Sequence, residues 1–406
     1  MASSRSNVPN RRSVALFLSG NVCLAAGLFV HAFLFNFYLR ELGLPASVMG
    51  YQVAAITCGG LIALFPTGLL IDRRGWRPAL LAGVAVTVAG LALTAVARQP
   101  AMMYPAALLI GIGGAACRTT WGPALMRLTS NEDRARAFTW NVALLVGTGG
   151  AWTLLAGVLP TWSDRLGGLA GLSGTQVTLL AGATVSAAAA ACYLALPTTR
   201  AATLKPDRPS LAPPREVRAL LPLIALWMLA AALVLPFFNV YFLDRFQLPV
   251  SRIAGLFAAA QLAHAVLLLG AAELARRWGP RRALTAWMLA LAPALWWLAA
   301  TGSLGAAIGL YLVQGLIAPA TNPLIDQLLL ERAPHEQHGV VAGWRNATVE
   351  GAGAIGASAG GRLLEASTFS TLFVLSGAVA AVSSALLAFA LRGRATPAIA
   401  RDAEAA

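Results

Sequence analysis

Four ionisable side chains lie inside long apolar runs: Arg118, Asp326, Arg345 and Glu350. A charge at bilayer depth costs several kcal/mol unless it is paired or faces water, so each of these residues needs either a partner or a task. At a helical rise of about 1.5 Å per residue, Arg118 lies roughly 13 Å from the inner end of its run and Glu350 roughly 16 Å into its own. Both fall near the midplane. A carboxyl group lining a cavity at that depth loads and releases a proton, which makes Glu350 the proton-coupling candidate. Arg118 is the candidate for an anionic substrate group, or for the counter-charge of Glu350. Asp326 and Arg345 fall at similar depth on consecutive antiparallel runs and are expected to form a structural charge pair.

Other polar residues inside the runs form a candidate cavity lining. They are His31, Asn36, Asn141, Asn239, Gln261, His264, Gln314, Asn322 and Asn346. His31, Phe35 and Tyr38 share one helix face by their spacing, and so do Gln261 and His264. For any one of them an interhelical hydrogen bond competes with substrate contact.

These residues require membrane helices to position them. The chain has 406 residues, 58% hydrophobic and only 11% charged, where a soluble domain carries about 25% charged residues. That excludes a conventional soluble enzyme and a disordered chain. Apolar runs fall at 14–39, 48–71, 79–97, 101–126, 137–160, 175–196, 219–243, 253–275, 283–301, 304–330, 339–361 and 369–391. Their length suits membrane helices, and the absence of a period of two argues against a β-barrel. The first run is too long for the core of a signal peptide and is kept as a helix. Trp121, Trp140, Trp152, Trp296, Trp297 and Trp344 read as interface anchors or packing. Pro66, Pro236, Pro293, Pro319 and Pro323 are positions where spans bend.

The net charge of +14 is chiefly an orientation code. Of the 30 basic residues, 22 lie at the N-terminus, at the C-terminus or in the loops that follow even-numbered runs, and six lie on the opposite side. The positive-inside rule then places both termini in the cytoplasm. The basic residues form no charged soluble module, so nucleic acid is not an expected partner. Cys23, Cys58, Cys117 and Cys192 lie within apolar runs with no C-x-x-C spacing, and neither a disulfide nor a metal site is expected.

The chain repeats itself at an offset near 204. Phe35-Asn36-Phe37-Tyr38 matches Phe238-Asn239-Val240-Tyr241, Leu44-Pro45 matches Leu248-Pro249, and Gly75, Arg77, Ala79 and Leu80 match Gly279, Arg281, Ala283 and Leu284. Glu132 and Trp140 likewise match Glu336 and Trp344. The expected organisation is a six-helix bundle over 1–196, a Pro- and Arg-rich cytoplasmic linker over 197–218, and a second six-helix bundle over 219–406. Secondary transporters use this plan, with the substrate site near the midplane between the repeats.

After the second run the sequence reads Gly68-Leu-Leu-Ile-Asp72-Arg73-Arg74-Gly75-Trp76-Arg77. This resembles the G-x-x-x-D-R-x-G-x-R signature of the major facilitator superfamily, and span count, linker and repeat extend the resemblance over the whole chain. The resemblance implies an all-α membrane fold of twelve helices and transport by alternating access, without cofactor or enzymatic activity. It also implies a cytoplasmic gating role for Asp72, Arg73 and Arg77, with Gly68 permitting close helix packing and Gly75 a tight turn. In the second copy Arg276 takes the place of Asp72, while Glu331 takes that of Arg127. An Asp72–Arg127 pair and an Arg276–Glu331 pair of exchanged polarity are therefore expected.

The fourth and fifth runs depart from the drug-antiporter branches. Gly111, Gly113 and Gly114 precede Arg118, and Gly147, Gly149 and Gly150 lack a following Gly-Pro. The expectation remains proton-coupled export of a small organic molecule by a monomer in the cytoplasmic membrane. Nutrient uptake, an uncoupled facilitator and a transport-inactive sensor or scaffold are the alternatives.

Three local patterns fail their context. Gly351-Ala-Gly353-Ala-Ile-Gly356 is not preceded by a strand, as a dinucleotide site requires. Gly356-Ala-Ser358-Ala-Gly360 lacks the strand–turn–helix of a nucleophile elbow. Gly171-Leu-Ser173-Gly174 lies in an external loop rather than within a span.

Overall fold

A computed structural model describes residues 11–165, 171–197, 212–334 and 337–392. Most of the expected linker lies outside these residues, as do Arg5, Arg200, Lys205, Arg208, Glu336, Arg394 and Arg401. The described residues form thirteen α-helices and no β-strand. In order they are α1 (Arg11–Glu41), α2 (Ala46–Arg74), α3 (Trp76–Val96), α4 (Pro100–Leu128), α5 (Asn131–Arg165), α6 (Gly174–Leu194), α7 (Arg215–Val234), α8 (Phe238–Phe246), α9 (Val250–Trp278), α10 (Pro280–Ala300), α11 (Leu304–Leu330), α12 (His338–Ala366) and α13 (Phe369–Arg392). A single 3-10 turn over Leu235–Phe237 joins α7 to α8.

Eleven of these helical stretches are long and apolar enough to cross a membrane, with Arg215–Phe246 counted as one. The expected run 339–361 lies in α12, which has the length, 29 residues, but not the apolarity. Arg345, Asn346, Glu350 and Arg362 dilute it, together with seven glycines.

Local chemistry sets the helix ends. Pro100 and Pro280 open α4 and α10, where a missing N–H costs nothing. Ser173 of the Gly171-Leu-Ser173-Gly174 pattern is the N-cap of α6. Its hydroxyl accepts from Gln176 N at 3.3 Å, while Ser173 N donates to Gln176 Oε1 at 3.2 Å. That is a reciprocal capping box. Gly75 separates α2 from α3 at φ 87°, and Gly279 separates α9 from α10 at φ 81°. Both are in the region that glycine adopts without a steric cost, so the sequence repeat is also a repeat of backbone conformation.

By contact the chain groups into two compact units. The first comprises Met1–Asp207 with Pro236–Ala263, and the second Arg208–Leu235 with His264–Ala406. Residues 236–263 thus group with the first unit, although they follow the expected linker.

Within the first unit, α2 and α3 pack on α4, and α1 packs on α6. The core between them includes Phe17, Leu24, Trp76, Leu80, Cys117, Leu125 and Tyr193. Small residues let these backbones approach, since lipid supplies no hydrophobic drive for helices to associate. A Cβ at Gly111 would stand 1.9 Å from Ile56 O, and one at Gly59 would stand 2.2 Å from Leu108 O. Gly68, by contrast, has no atom within 4 Å of such a Cβ. The close packing expected of Gly68 is made by Gly59, two and a half turns earlier on the same helix.

Within the second unit, α7 packs on α12 and α13, and α10 packs on α11 and α13. Serines of α13 donate to carbonyls of neighbouring helices: Ser376 to Ala230 O at 2.6 Å, and Ser384 to Met288 O at 3.0 Å. Gly356 faces Leu229 O, 2.7 Å from its would-be Cβ, whereas Gly351 and Gly353 meet nothing within 4 Å. Of the glycine pattern on α12, helix packing accounts for Gly356 and not for the other two.

Gly111→Val forces α2 and α4 apart and should destabilise by about 1–3 kcal/mol or more. Gly68→Ala should stay within about 0.5 kcal/mol of the parent. Thermal unfolding in detergent separates the two; equal midpoints would contradict the packing described.

Candidate functional site

The expected lining residues divide into those already held by protein partners and those left open. In the first unit most are held. Asn36 and Asn239 occupy matching places in the repeat and bind each other. Asn36 Nδ2 donates to Asn239 Oδ1 at 2.9 Å and to Pro236 O at 2.6 Å, while Asn239 Nδ2 donates to Phe33 O at 3.1 Å. One helical turn further on, Arg40 pairs with Asp244, also at matching positions. Asn141 Oδ1 accepts from Asn21 Nδ2 at 2.6 Å, and Asn21 Oδ1 accepts from the Tyr193 hydroxyl at 2.5 Å. This buried chain ties α5, α1 and α6. Gln261 Nε2 donates to Thr153 Oγ1 at 3.3 Å. Tyr38 donates its hydroxyl to Ala97 O at 2.7 Å and accepts from Gln176 Nε2 at 3.2 Å.

His31 is buried, with its ring stacked on Phe35 at a centroid distance of 5.1 Å. Its Nε2 stands 3.4 Å from Gln52 Nε2, and Gln52 Oε1 has no partner. Turning the Gln52 amide over would bring its oxygen towards the imidazole, an exchange of O and N that leaves the heavy-atom shape unchanged. Sequence reasoning missed Gln52; a lone amide within the run 48–71 was the available signal. It also missed Asn21, Arg40 and Asp244, the last two being legible as a charged pair at the repeat offset.

Arg118 is exposed on α4 and forms no ion pair among the described residues. Its guanidinium runs back over Gly114, where a Cβ would lie 3.2 Å from it. Helical side chains lean towards the N-terminus, so the glycine one turn earlier leaves room for this one.

In the second unit a polar centre forms around Arg345. Its Nε stands 2.9 Å from Asp326 Oδ1, an ion pair whose N–H is not aimed along the contact. The side chains are 14% and 49% exposed respectively. The remaining guanidinium nitrogens donate to Asn322 Oδ1 and Asn346 Oδ1, each at 3.1 Å. Three expected residues thus meet at Arg345. Glu350 lies one turn beyond Asn346 on α12, exposed, with no ion pair among the described residues.

His264 lies apart from this centre. Its Nε2 is 2.9 Å from Leu312 O, which places the proton on that nitrogen and leaves Nδ1 as an acceptor. The ring fills the space over Gly315, 2.3 Å from a would-be Cβ. Gln314 is buried with Oε1 unpartnered.

The signature loop holds by its backbone and by Arg77, which donates to Leu194 O at the end of α6. Asp72 and Arg73 are exposed. Among the described residues Asp72 and Arg127 form no ion pair with each other, and Asp72 is exposed near the end of α2. Arg276 pairs with Glu273 in its own helix, at 2.6 Å, and Glu331 accepts from Gln327 at 2.8 Å. The expected exchange of charge between the two copies is therefore not made: each second-copy charge finds a partner within one turn of its own helix. Among the described residues no group of three metal-binding side chains gathers, and the four cysteines are free thiols.

A family model described as Major Facilitator Superfamily matches residues 17–285 and 220–406. The multidrug resistance protein MdtH of Cronobacter sakazakii is 26% identical over 166 residues, 39% of this chain and 39% of its own. The protein of that name from Yersinia pestis is 27% identical over 152 residues, 36% of this chain and 35% of its own. The chain thus spans less than half the length of these relatives. Among solved structures, the nucleoside transporter NupG superposes with TM-score 0.75 at 11% identity, covering 95% of this chain and 100% of the other. A bacterial homologue of the human lysosomal transporter Spinster gives TM-score 0.73 at 14% identity, covering 95% and 98%. A bacterial homologue of the iron transporter ferroportin gives 0.71 at 16%, covering 93% and 98%. At these identities the likeness is one of fold. With the family model running over nearly the whole chain, and with the signature loop and the repeated glycine turn in place, the chain belongs to the major facilitator superfamily of membrane transporters.

Proposed function

We propose that the chain exports a small organic molecule across the cytoplasmic membrane by alternating access, with proton entry as the driving reaction. In this reading it is a monomer of twelve spans, with α12 as the eleventh span and both termini in the cytoplasm. The observation that carries the proposal is the state of Glu350. It lies in the middle of a 29-residue helix, exposed and without an ion pair among the described residues. A carboxylate in that state cannot face hydrocarbon for the cost given above. It therefore faces an aqueous path, or it carries a proton when it does not. A proton carrier needs both in turn, ionised where it meets water and protonated where it does not.

The polarity of the neighbouring centre supports the same reading. Asp326 neutralises Arg345, so Glu350 is free to gain and lose a proton without a fixed cation holding it charged. Arg118 is the complementary group, an unpaired cation deep in α4, and it provides a site for an anionic or electron-rich part of the substrate. The name multidrug resistance protein carried by the MdtH relatives supports export over uptake, with the match limited to under half of each chain.

Reconstitution into vesicles with an imposed pH gradient tests this. A panel of amphipathic compounds should include at least one whose movement follows the gradient; none doing so removes the proton. Glu350→Gln should lower gradient-driven transport at least about tenfold while leaving substrate binding in place. Full gradient-driven transport in that variant removes Glu350 as carrier. Arg118→Ala should weaken binding of anionic compounds about tenfold or more and spare neutral ones; equal affinity for both classes argues against the anion site.

A further inference from the structure

A cavity of about 250 Å³ opens where the start of α1 meets the end of α4 and the start of α5. Arg11, Arg136 and Asp133 supply its charged lining, and Val14, Leu18 and Trp140 much of its apolar lining. None of these residues takes part in the transport reading above. The spacing explains the arrangement: Arg11, Val14 and Leu18 lie along one face of α1, and Asp133, Arg136 and Trp140 along one face of α5.

We propose that this cavity binds the headgroup of a membrane phospholipid. Both arginines are exposed, and neither forms an ion pair among the described residues. Two arginines lining one cavity suit a phosphodiester, which each guanidinium recognises through charge-assisted hydrogen bonds. Asp133 already accepts from Ser130 Oγ at 3.3 Å and keeps capacity for a further donor. A donor beyond the phosphate, the ammonium of an ethanolamine or the hydroxyl of a glycerol, meets it there.

Size and polarity decide between a lipid and other anions. Pockets for drug-sized molecules run from about 300 Å³ upwards, so this one suits a headgroup better than a whole substrate. A free phosphate leaves the apolar wall unused, whereas a lipid lays the start of its acyl chains along Val14, Leu18 and Trp140. Trp140 is 51% exposed, as befits an indole at the level of the headgroups. The ten residues ahead of Arg11 contain no acidic side chain that would neutralise the arginines. The positive-inside expectation sets the cavity in the cytoplasmic leaflet.

Lipid retention by the purified full-length protein tests the assignment. Delipidated protein is incubated with phosphatidylglycerol, phosphatidylethanolamine or phosphatidylcholine, and bound lipid is counted by native mass spectrometry. The first two should be retained in preference to phosphatidylcholine, whose methylated amine offers Asp133 no N–H. Arg11→Gln with Arg136→Gln should reduce retention about tenfold, while Arg276→Gln with Arg277→Gln, which removes the same charge elsewhere, should leave it unchanged. Equal loss in both double variants, or no loss in the first, overturns the site. So does stabilisation by millimolar inorganic phosphate equal to that by lipid, which would make it a simple anion site. Should the double variant fail to fold, quenching of Trp140 by brominated phosphatidylglycerol, taken as the difference between the parent and Trp140→Phe, gives an independent reading; no difference overturns the proposal.

Discussion

Hydrocarbon offers no hydrogen bonds, and the rest of this structure depends on that constraint. Every polar group placed inside the bilayer must be answered by the protein itself or by water that the protein admits. Helices answer the backbone. The side chains answer one another over long sequence distances: Asn36 with Asn239, and Tyr193 through Asn21 with Asn141. Hydroxyls fold back on carbonyls, as Thr120 does on Ala116 and Thr153 on Gly149. Against that background an unanswered group is conspicuous. Among the described residues Arg118 and Glu350 form no ion pair, and Gln52 and Gln314 each keep a side-chain oxygen without a partner.

The repeat shows how such openings arise. Adding the offset of 204 carries Arg118 to Asn322, and carries Asn141 to Arg345. In the second unit these positions bond, Arg345 donating to Asn322 with Asp326 closing the charge. In the first unit the same two positions hold the same residue types exchanged, yet no bond between them is formed, and Asn141 binds Asn21 instead. The position of Asp326 falls on Gly122, so no carboxylate replaces it. Arg118 thus lacks both kinds of partner, amide and carboxylate, that Arg345 has in the second copy. The same geometry is a closed structural centre in one copy and an open cation in the other.

The parts legible in the sequence were those set by local chemistry or by depth. Apolar runs marked the helices, the signature glycine marked the turn at φ 87°, and equal depth on antiparallel runs brought Asp326 to Arg345. The parts that were not legible depend on which helix lies beside which. Asn36, Asn239 and Asn141 read as lining because an amide inside an apolar run looks the same whether its partner is a substrate or another amide. Gly68 read as a packing residue because the signature names it, while the actual contact falls at Gly59, where no signature points. The pairing of Asp72 with Arg127 rested on opposite charge and on the exchange of charges at the repeat offset. Between exposed helix ends an ion pair contributes at most about 1 kcal/mol, too little to dictate where the side chains settle.

Symmetry sorts the residues by task. Positions that match across the repeat and are chemically alike hold the molecule together: Gly75 and Gly279 turn the chain, and Asn36 and Asn239 bind each other. Positions that match but differ are where polarity is left over. Glu350 corresponds to Val146, His31 to Leu235 or its neighbour Val234, and Arg118 to Asn322. Both copies carry their basic loops on the same expected side, so exchanging the two copies returns the same state rather than the opposite one, and the repeat by itself neither gives nor forbids a direction. What the unmatched charges change is the chemistry of a single copy, at places the other copy does not duplicate. The matched amides hold the fold while those positions vary.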